Sequence, residues 1–205
     1  MENATLPDSN RPRGRPREFD MDETLDKALA VFTARGYHAT SISDLTDAMG
    51  LTAGSVYKAF KDKRGVFLAA FDRYRLLGRR RLKQEIAKGD NGRDKVHRVL
   101  MYYIDRSYGE PGRSGCLVVS GANDLAVLDD EAAARVAAAF EADQSLIADL
   151  IRLGQSDGTI STTVDPDAGA LTLLCLTKGA RVIGKTGRRR EEMTAVADMA
   201  MTMLR

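Results

Sequence analysis

Along nearly the whole chain, apolar residues recur at intervals of three and four, and no segment sustains the alternation a strand requires. That period restricts the chain to helices packed on helices, an all-α architecture. Start and stop signals then divide it. Asp20 with Glu23 forms a capping box ahead of the stripe Leu25, Ala28, Leu29 and Phe32, which stops at Gly36. Ser41 with Asp44 repeats the signal before Ile42, Leu45, Ala48 and Met49, and Gly50 ends that helix. Thr52 caps a third helix whose apolar Val56, Tyr57 and Phe60 are expected to pack inward. Asp62 caps a fourth, running to about residue 88, with Val66, Phe67, Ala70, Phe71, Tyr74 and Leu77 on one side.

The later segments follow the same logic. Asn91 precedes a helix carrying Val96, Val99, Leu100, Tyr103, Ile104 and Tyr108. Residues 109–115 are dense in helix breakers and read as a loop. Residues 116–127 read as one buried helix, and Asp129 or Asp130 starts a long alanine-rich one to about residue 155. Asp165-Pro166 places a cap and then a proline at the first helical position, opening a helix to about residue 182. A last helix is expected over residues 191–204. The total is about nine helices.

Of the 205 residues, 43% are hydrophobic and 29% charged, enough apolar content to bury a sizeable core. No run of 18 apolar residues exists, so no membrane span is expected. The polar N-terminus has no apolar stretch for export, so the expected location is the cytoplasm. Cys116 and Cys175 lie far apart in apolar surroundings and read as two buried thiols rather than a disulfide. His38 and His97 have no Cys, Asp or Glu at a metal-ligand spacing, and there is no phosphate-binding glycine loop or nucleophile elbow. Nothing here calls for an enzyme, a metal or a cofactor.

The net charge of +2 hides an asymmetry: residues 11–83 carry 16 Lys and Arg against 9 Asp and Glu, while residues 84–205 carry 15 against 18. A basic first third on a mildly acidic remainder fits a polyanion-binding head. Within it, residues 40–60 read as two short helices around a glycine turn, with Leu51 plugging the core. Thr52, Ala53, Gly54, Ser55 and Lys58 are left on the outer side of the second helix. Small residues let a helix lie close to the major groove, while Ser55 and Lys58 can hydrogen-bond bases or phosphates. Residues 1–17 are expected to form a flexible basic arm. Its Arg13-Gly14-Arg15-Pro16 resembles the core of an AT-hook, where Arg13, Arg15 and Arg17 would follow a narrow minor groove. The bland alternative is a solubilising tail with general phosphate attraction only.

The pattern Phe32-x-x-x-Gly36-Tyr37-x-x-Thr40-Ser41-Ile42-x-x-Leu45, then Gly50-Leu51-Thr52-x-Gly54-Ser55-Val56-Tyr57-x-x-Phe60-x-x-Lys63, resembles the TetR family of one-component transcriptional regulators. The resemblance covers about residues 20–71. It implies a helix-turn-helix DNA-binding domain over residues 18–61 and an effector-binding and dimerisation domain over residues 62–205. It further implies that Thr40 and Ser41 touch phosphate and that Thr52, Ala53, Gly54 and Ser55 face the major groove. Lys58 would meet bases or backbone, Tyr57 would turn its hydroxyl toward a phosphate, and Lys63 would approach the DNA backbone. The chain departs from the family at Ala59, where histidine is common.

For the body, the resemblance implies a small-molecule effector and a homodimer through the last two helices, with a near-palindromic double-stranded operator. Ala168, Leu171, Leu174 and Cys175 with Ala197, Ala200 and Leu204 supply candidate seams. Aromatic or polar residues on inward faces are the candidate effector contacts: Phe67, Phe71, Tyr74, Tyr102, Tyr103, Arg106, Asn123 and Lys178. Cys116, at a helix start near Arg113, is a candidate reactive thiol. The expected function is a repressor released by a small molecule. The alternatives are a redox- or electrophile-sensing repressor acting through Cys116, or a constitutive architectural DNA-binding protein.

Overall fold

The computed structural model describes residues 19–205, so Arg13, Arg15 and Arg17 of the arm lie outside the described residues. Among the described residues there are ten α-helices, two 3-10 turns and no strand. Three short helices come first: α1 (Met21–Arg35), α2 (Ile42–Met49) and α3 (Ala53–Phe60). Then follow α4 (Lys63–Ala87), α5 (Gly92–Ile104), α6 (Gly109–Ser114) and α7 (Leu117–Asn123). The chain finishes with α8 (Asp130–Ser156), α9 (Pro166–Ile183) and α10 (Arg190–Thr202).

The expected caps form. Asp20 accepts the Asp22 and Glu23 N–H groups, and Asp62, Asn91, Asp129 and Asp165 each cap the helix that follows. Between α3 and α4 the chain turns at Lys61, a non-glycine residue at φ 71. A Cβ at Gly65 would stand 1.9 Å from the Phe60 carbonyl oxygen, so this elbow closes only on glycine.

Two apolar clusters hold the molecule. The first joins α1, α2, α3 and the first half of α4 to Cys116, Leu117 and Val118 and to Ala132, Val136 and Ala139 of α8. It therefore runs across the division expected at residues 61 and 62. The second cluster packs α5, α8, α9 and α10 with Leu82, and Phe140 touches both.

Where the clusters meet, four helices share one carboxylate. Asp143 of α8 accepts Arg75 Nη2 of α4 at 2.9 Å, Tyr103 Oη of α5 at 3.0 Å and Lys178 Nζ of α9 at 2.6 Å. Only 5% of Asp143 is exposed. Burial by itself raises its pKa, but Lys178 and Arg75 outweigh that and hold the carboxyl below its ordinary value.

Several expectations are corrected. Residues 109–115 are not a loop: six of them form α6, with Pro111 in the first turn, where its missing N–H costs little. Its glycines serve close packing, since a Cβ at Gly112 would lie 2.8 Å from the Ser107 backbone and 3.2 Å from the Gly184 oxygen. The helix before it stops at Ile104, and Tyr108 precedes α6 instead of extending α5. The helix expected over 116–127 breaks after Asn123 into a separate 3-10 turn, Leu125–Val127. Tyr57 points outward and is 51% exposed.

Cys175 is exposed, because α9 buries Leu173, Leu174 and Thr177 on the other side. The expected seams are also rotated. Leu174, Ala197, Ala200 and Leu204 close the core of this chain, while Ala168, Leu171 and Cys175 face outward.

Removing the Asp143 charge leaves Arg75 and Lys178 at the helix junction without a carboxylate, with only the Ala139 oxygen and the Tyr103 hydroxyl beside them. Asp143→Asn is expected to cost about 3–5 kcal/mol of unfolding free energy at pH 7. Because the folded pKa is lowered, the stabilisation is present above the unfolded value of roughly 4 and is lost as pH falls through the folded one. Denaturant titrations across pH should show the gap to wild type closing in acid; equal stability at pH 7 contradicts the account.

Candidate nucleic-acid interface and buried cavity

The outer surface of the head is set by how α2 and α3 begin. Ser41 and Asp44 make a reciprocal capping box, and Asp44 also pairs with Arg35. Gly50 at φ 68 then reverses the chain so that α3 projects from the support helix. Thr52 caps α3 by accepting the Ser55 N–H at 3.2 Å, and its hydroxyl lies 3.0 Å from that of Ser55. Thr52, Ala53, Gly54, Tyr57, Lys58 and Ala59 are exposed and Ser55 is half-buried, while Val56 and Phe60 anchor the helix from below. Small groups at the tip followed by Tyr57 and Lys58 give a helix that can enter a groove and meet phosphate beside it.

Three of the expected phosphate contacts are otherwise engaged. Thr40 is 2% exposed and donates its hydroxyl to the Gly36 oxygen at 2.6 Å, so its side chain is a turn lock rather than a surface group. Ser41 is exposed, yet its hydroxyl proton goes to Asp44 at 2.7 Å, and a phosphate has to compete for it. Lys63 donates to the Tyr37 oxygen at 3.0 Å and sits 4.4 Å from the centre of the Tyr37 ring.

Tyr37 is thus held on both sides. Its N–H donates to Asp124 at the end of α7, 2.6 Å away, and its ring packs against Phe32 and Phe67. In addition, Ser120 of α7 donates to the Phe32 oxygen at 3.4 Å. These contacts fasten the end of α1 to the body.

At the other end of α7 lies a cavity of about 420 Å³, within the range of small-molecule sites. Tyr74, Tyr102, Tyr103, Arg106, Cys116 and Lys178 line it, as do Arg75, Asp143 and Arg181. Phe67 and Phe71 are not among the lining residues; both are packed in the first apolar cluster. Asn123 is exposed near the head. Sequence reasoning missed Arg75, Asp143, Arg181 and Asp124. For Asp143 and Arg181 a signal existed, since each falls on the buried stripe of its helix, where a charge has to have a purpose.

Cys116 precedes the first turn of α7 and accepts a hydrogen bond from Tyr74 Oη at 3.3 Å. Burial pushes the thiol up. The Tyr74 hydrogen bond, the Val119 N–H and the charges of Lys178 and Arg181 outweigh burial and leave it below its ordinary value. The cations acting on it are therefore those of α9, whereas Arg113 is exposed on α6. Among the described residues no group of three or more His, Cys, Asp or Glu is placed to hold a metal ion, and no helix is long and apolar enough to cross a membrane.

Comparison with known proteins agrees with this geometry. Residues 25–70 match the description "Bacterial regulatory proteins, tetR family", and residues 92–200 match "Tetracyclin repressor-like, C-terminal domain". The chain is 26% identical to the HTH-type transcriptional repressor ComR of Escherichia coli, over 94% of this chain and 92% of that protein. It is 29% identical to the transcriptional regulator AcuR of Cereibacter sphaeroides, over 79% and 75% of the two chains. Among solved structures, a cysteine-substituted TetR family regulator CifR, complexed with 26 bp of double-strand operator DNA, superposes with a TM-score of 0.81 at 30% identity. That match covers 92% of this chain and 98% of CifR. With an exposed α3 on a capped support helix and a larger helical body, the chain belongs to the TetR family of DNA-binding transcriptional regulators.

Proposed function

We propose that this protein is a homodimeric repressor that leaves a near-palindromic operator when a small molecule occupies the cavity. The observation that carries this reading is the placement of α7. Its first turn follows Cys116 at the cavity, and just past its end Asp124 grips the Tyr37 N–H of the head. Seven residues at roughly 1.5 Å each make a rod of about 10 Å. A ligand that displaces the cavity end of that rod pulls on Tyr37, and through Tyr37 on Lys63 and the first turn of α4. Only a ligand that prefers the displaced arrangement shifts the balance away from DNA.

In this reading residues 18–61 form the reading head and residues 62–205 the sensing and dimerising body. Thr52, Ala53, Gly54 and Ser55 face the major groove, and Tyr57 and Lys58 meet the flanking backbone or base edges. Ser41 and Lys63 are secondary contacts in view of their internal partners. Arg13, Arg15 and Arg17 add minor-groove or phosphate contacts.

Dimerisation through α9 and α10 is supported by what the core leaves over. Leu171, Cys175 and Val182 form an exposed stripe on α9, and Met199 of α10, at 70% exposure, stands with Met203 just past the end of that helix. Gly179 lies on the α9 stripe, and apart from its own stretch of helix nothing lies within 4 Å of where its Cβ would be, leaving room for another helix to approach. Pairing two such faces builds a four-helix contact and sets the two α3 helices about 34–36 Å apart, one turn of DNA.

A second reading keeps this transmission but makes the signal covalent. It is favoured by the Tyr74 hydrogen bond to the Cys116 sulfur and by the Lys178 and Arg181 charges, which together lower the thiol's pKa against burial. The thiolate adds to the electron-poor alkene carbon of a Michael acceptor: the S–C bond forms as the C=C π bond breaks, and the other alkene carbon takes up a proton equivalent to the one the thiol gave to solvent.

These readings generate three tests. A footprint on genomic fragments should protect a discrete near-palindrome, and Lys58→Ala should weaken binding and reduce the salt slope by about one. Uniform protection along any DNA points instead to an architectural role. Met199→Asp should yield monomers by sedimentation velocity, with operator affinity reduced in parallel; an unchanged dimer places the interface elsewhere. In a Cys175→Ser background, which removes the exposed thiol of the α9 stripe, N-ethylmaleimide should lower operator affinity when Cys116 is present but not when it is replaced by Cys116→Ser. Equal loss in both proteins removes the covalent reading and leaves reversible binding untouched.

A further inference from the structure

The charges around the cavity do not balance. Arg75 and Lys178 share the single buried carboxylate of Asp143. Arg181 is only 4% exposed, and its hydrogen bonds go to the carbonyl oxygens of Pro111 and Gly115, both neutral. No carboxylate within 4 Å pairs with Arg181 or Arg106 among the described residues. Arg106 lies over the Tyr102 ring, 3.7 Å from its centre, and donates to the Tyr102 oxygen. The other acid that lines the cavity, Asp26, is engaged by Arg73. A guanidinium taken out of water and given only carbonyls is an expensive arrangement, and an anion beside it offsets the cost.

The rest of the wall is not built for an inorganic ion. Leu77, Leu82 and Val118 contribute apolar surface, and three tyrosine rings stand beside them. Such a cavity suits a molecule with one charged end and an organic body.

Resting on the effector reading above, we infer that the ligand is a small organic monocarboxylate. Its carboxylate pairs with Arg181, and its organic part lies against Leu77, Leu82 and Val118. The cationic mouth, with Arg79, Arg81 and Arg106, favours entry of an anion. Lys178 has a proton to share beyond its Asp143 bond and supplies a second donor. Arg75, Arg106, Lys178 and Arg181 have one carboxylate among them, Asp143, so the wall keeps a net positive charge, and one carboxylate on the ligand is the least that offsets Arg181.

The test is calorimetric titration and thermal shift on the full-length protein with a panel of monocarboxylates from acetate to 2-naphthoate, each paired with its own primary amide. At least one acid should bind and stabilise the protein while its amide binds about tenfold or more weakly. Arg181→Gln should remove that preference, and Arg181→Lys should keep part of it. Because Arg181 also holds two carbonyls, the acid–amide comparison on the wild type decides the matter even where the glutamine variant loses its fold. The proposal is overturned if no acid in the panel outperforms its amide, or if a folded Arg181→Gln variant binds acids like the wild type. A gel shift with the same compounds separates the two claims. An acid that binds without releasing DNA upholds the site and defeats effector release. Release by a neutral compound, with no preference for acids, does the reverse.

Discussion

Asp143 is the point on which the body of this protein turns, because one buried carboxylate is shared by Arg75, Tyr103 and Lys178 from three other helices. Hydrophobic contacts alone would let α4, α5, α8 and α9 slide past one another, since Ala, Leu and Val surfaces are tolerant of register. A carboxylate with directional partners fixes their mutual positions. It also fixes where the cavity opens, since Arg75, Tyr103, Asp143 and Lys178 all belong to its wall. The node is expensive to bury and costly to break, which gives a cavity ligand something definite to compete with.

From that node the structure runs outward to the head through short links. Lys178 lines the same cavity as Cys116, Arg181 binds the Gly115 oxygen just before it, α7 carries the chain from Cys116 to Asp124, and Asp124 holds Tyr37. Arg64 adds a surface tie from the start of α4 to Asp129 and Glu131 at the start of α8. Arg73 similarly bridges α4 to Asp22 and Asp26 of α1. These exposed pairs contribute little individually. The Tyr37 contacts matter more, because they combine ring packing with hydrogen bonds at both backbone groups of one residue.

Much of the head was legible in the chain, since its signals are local. A capping residue, its partner three positions on and a terminating glycine lie within one helix: Asp20, Ser41 and Thr52 cap and Gly50 terminates as their spacing implies. The reciprocal box, however, forms at Ser41 and Asp44 and not at Asp20, where Glu23 pairs with Lys27 instead. The outward tilt of Tyr57 and the inward turn of Thr40 were not legible, because each depends on the packing of neighbouring helices. Residues 109–115 misled for a related reason. Glycine and proline there serve the close approach of α6 to Ser107 and Gly184, which no local rule anticipates.

In the body the period located the helices but not their partners. The terminal helices carry two apolar faces, and only folding reveals that Leu174 and Ala197 serve the core while Leu171 and Met199 remain outside. Asp124 reads as an ordinary charge near a helix end, and its partner lies 87 positions away.

The central claim is that an event in the cavity reaches the head through α7. Amide hydrogen exchange at Tyr37 tests it most directly, measured on the free Cys175→Ser protein before and after alkylation of Cys116, so that α9 itself carries no label. The Tyr37 N–H is protected by its bond to Asp124, so the account predicts faster exchange there and at the end of α1 after modification, with α9 and α10 unchanged. Unaltered protection at Tyr37 in fully alkylated protein would contradict it.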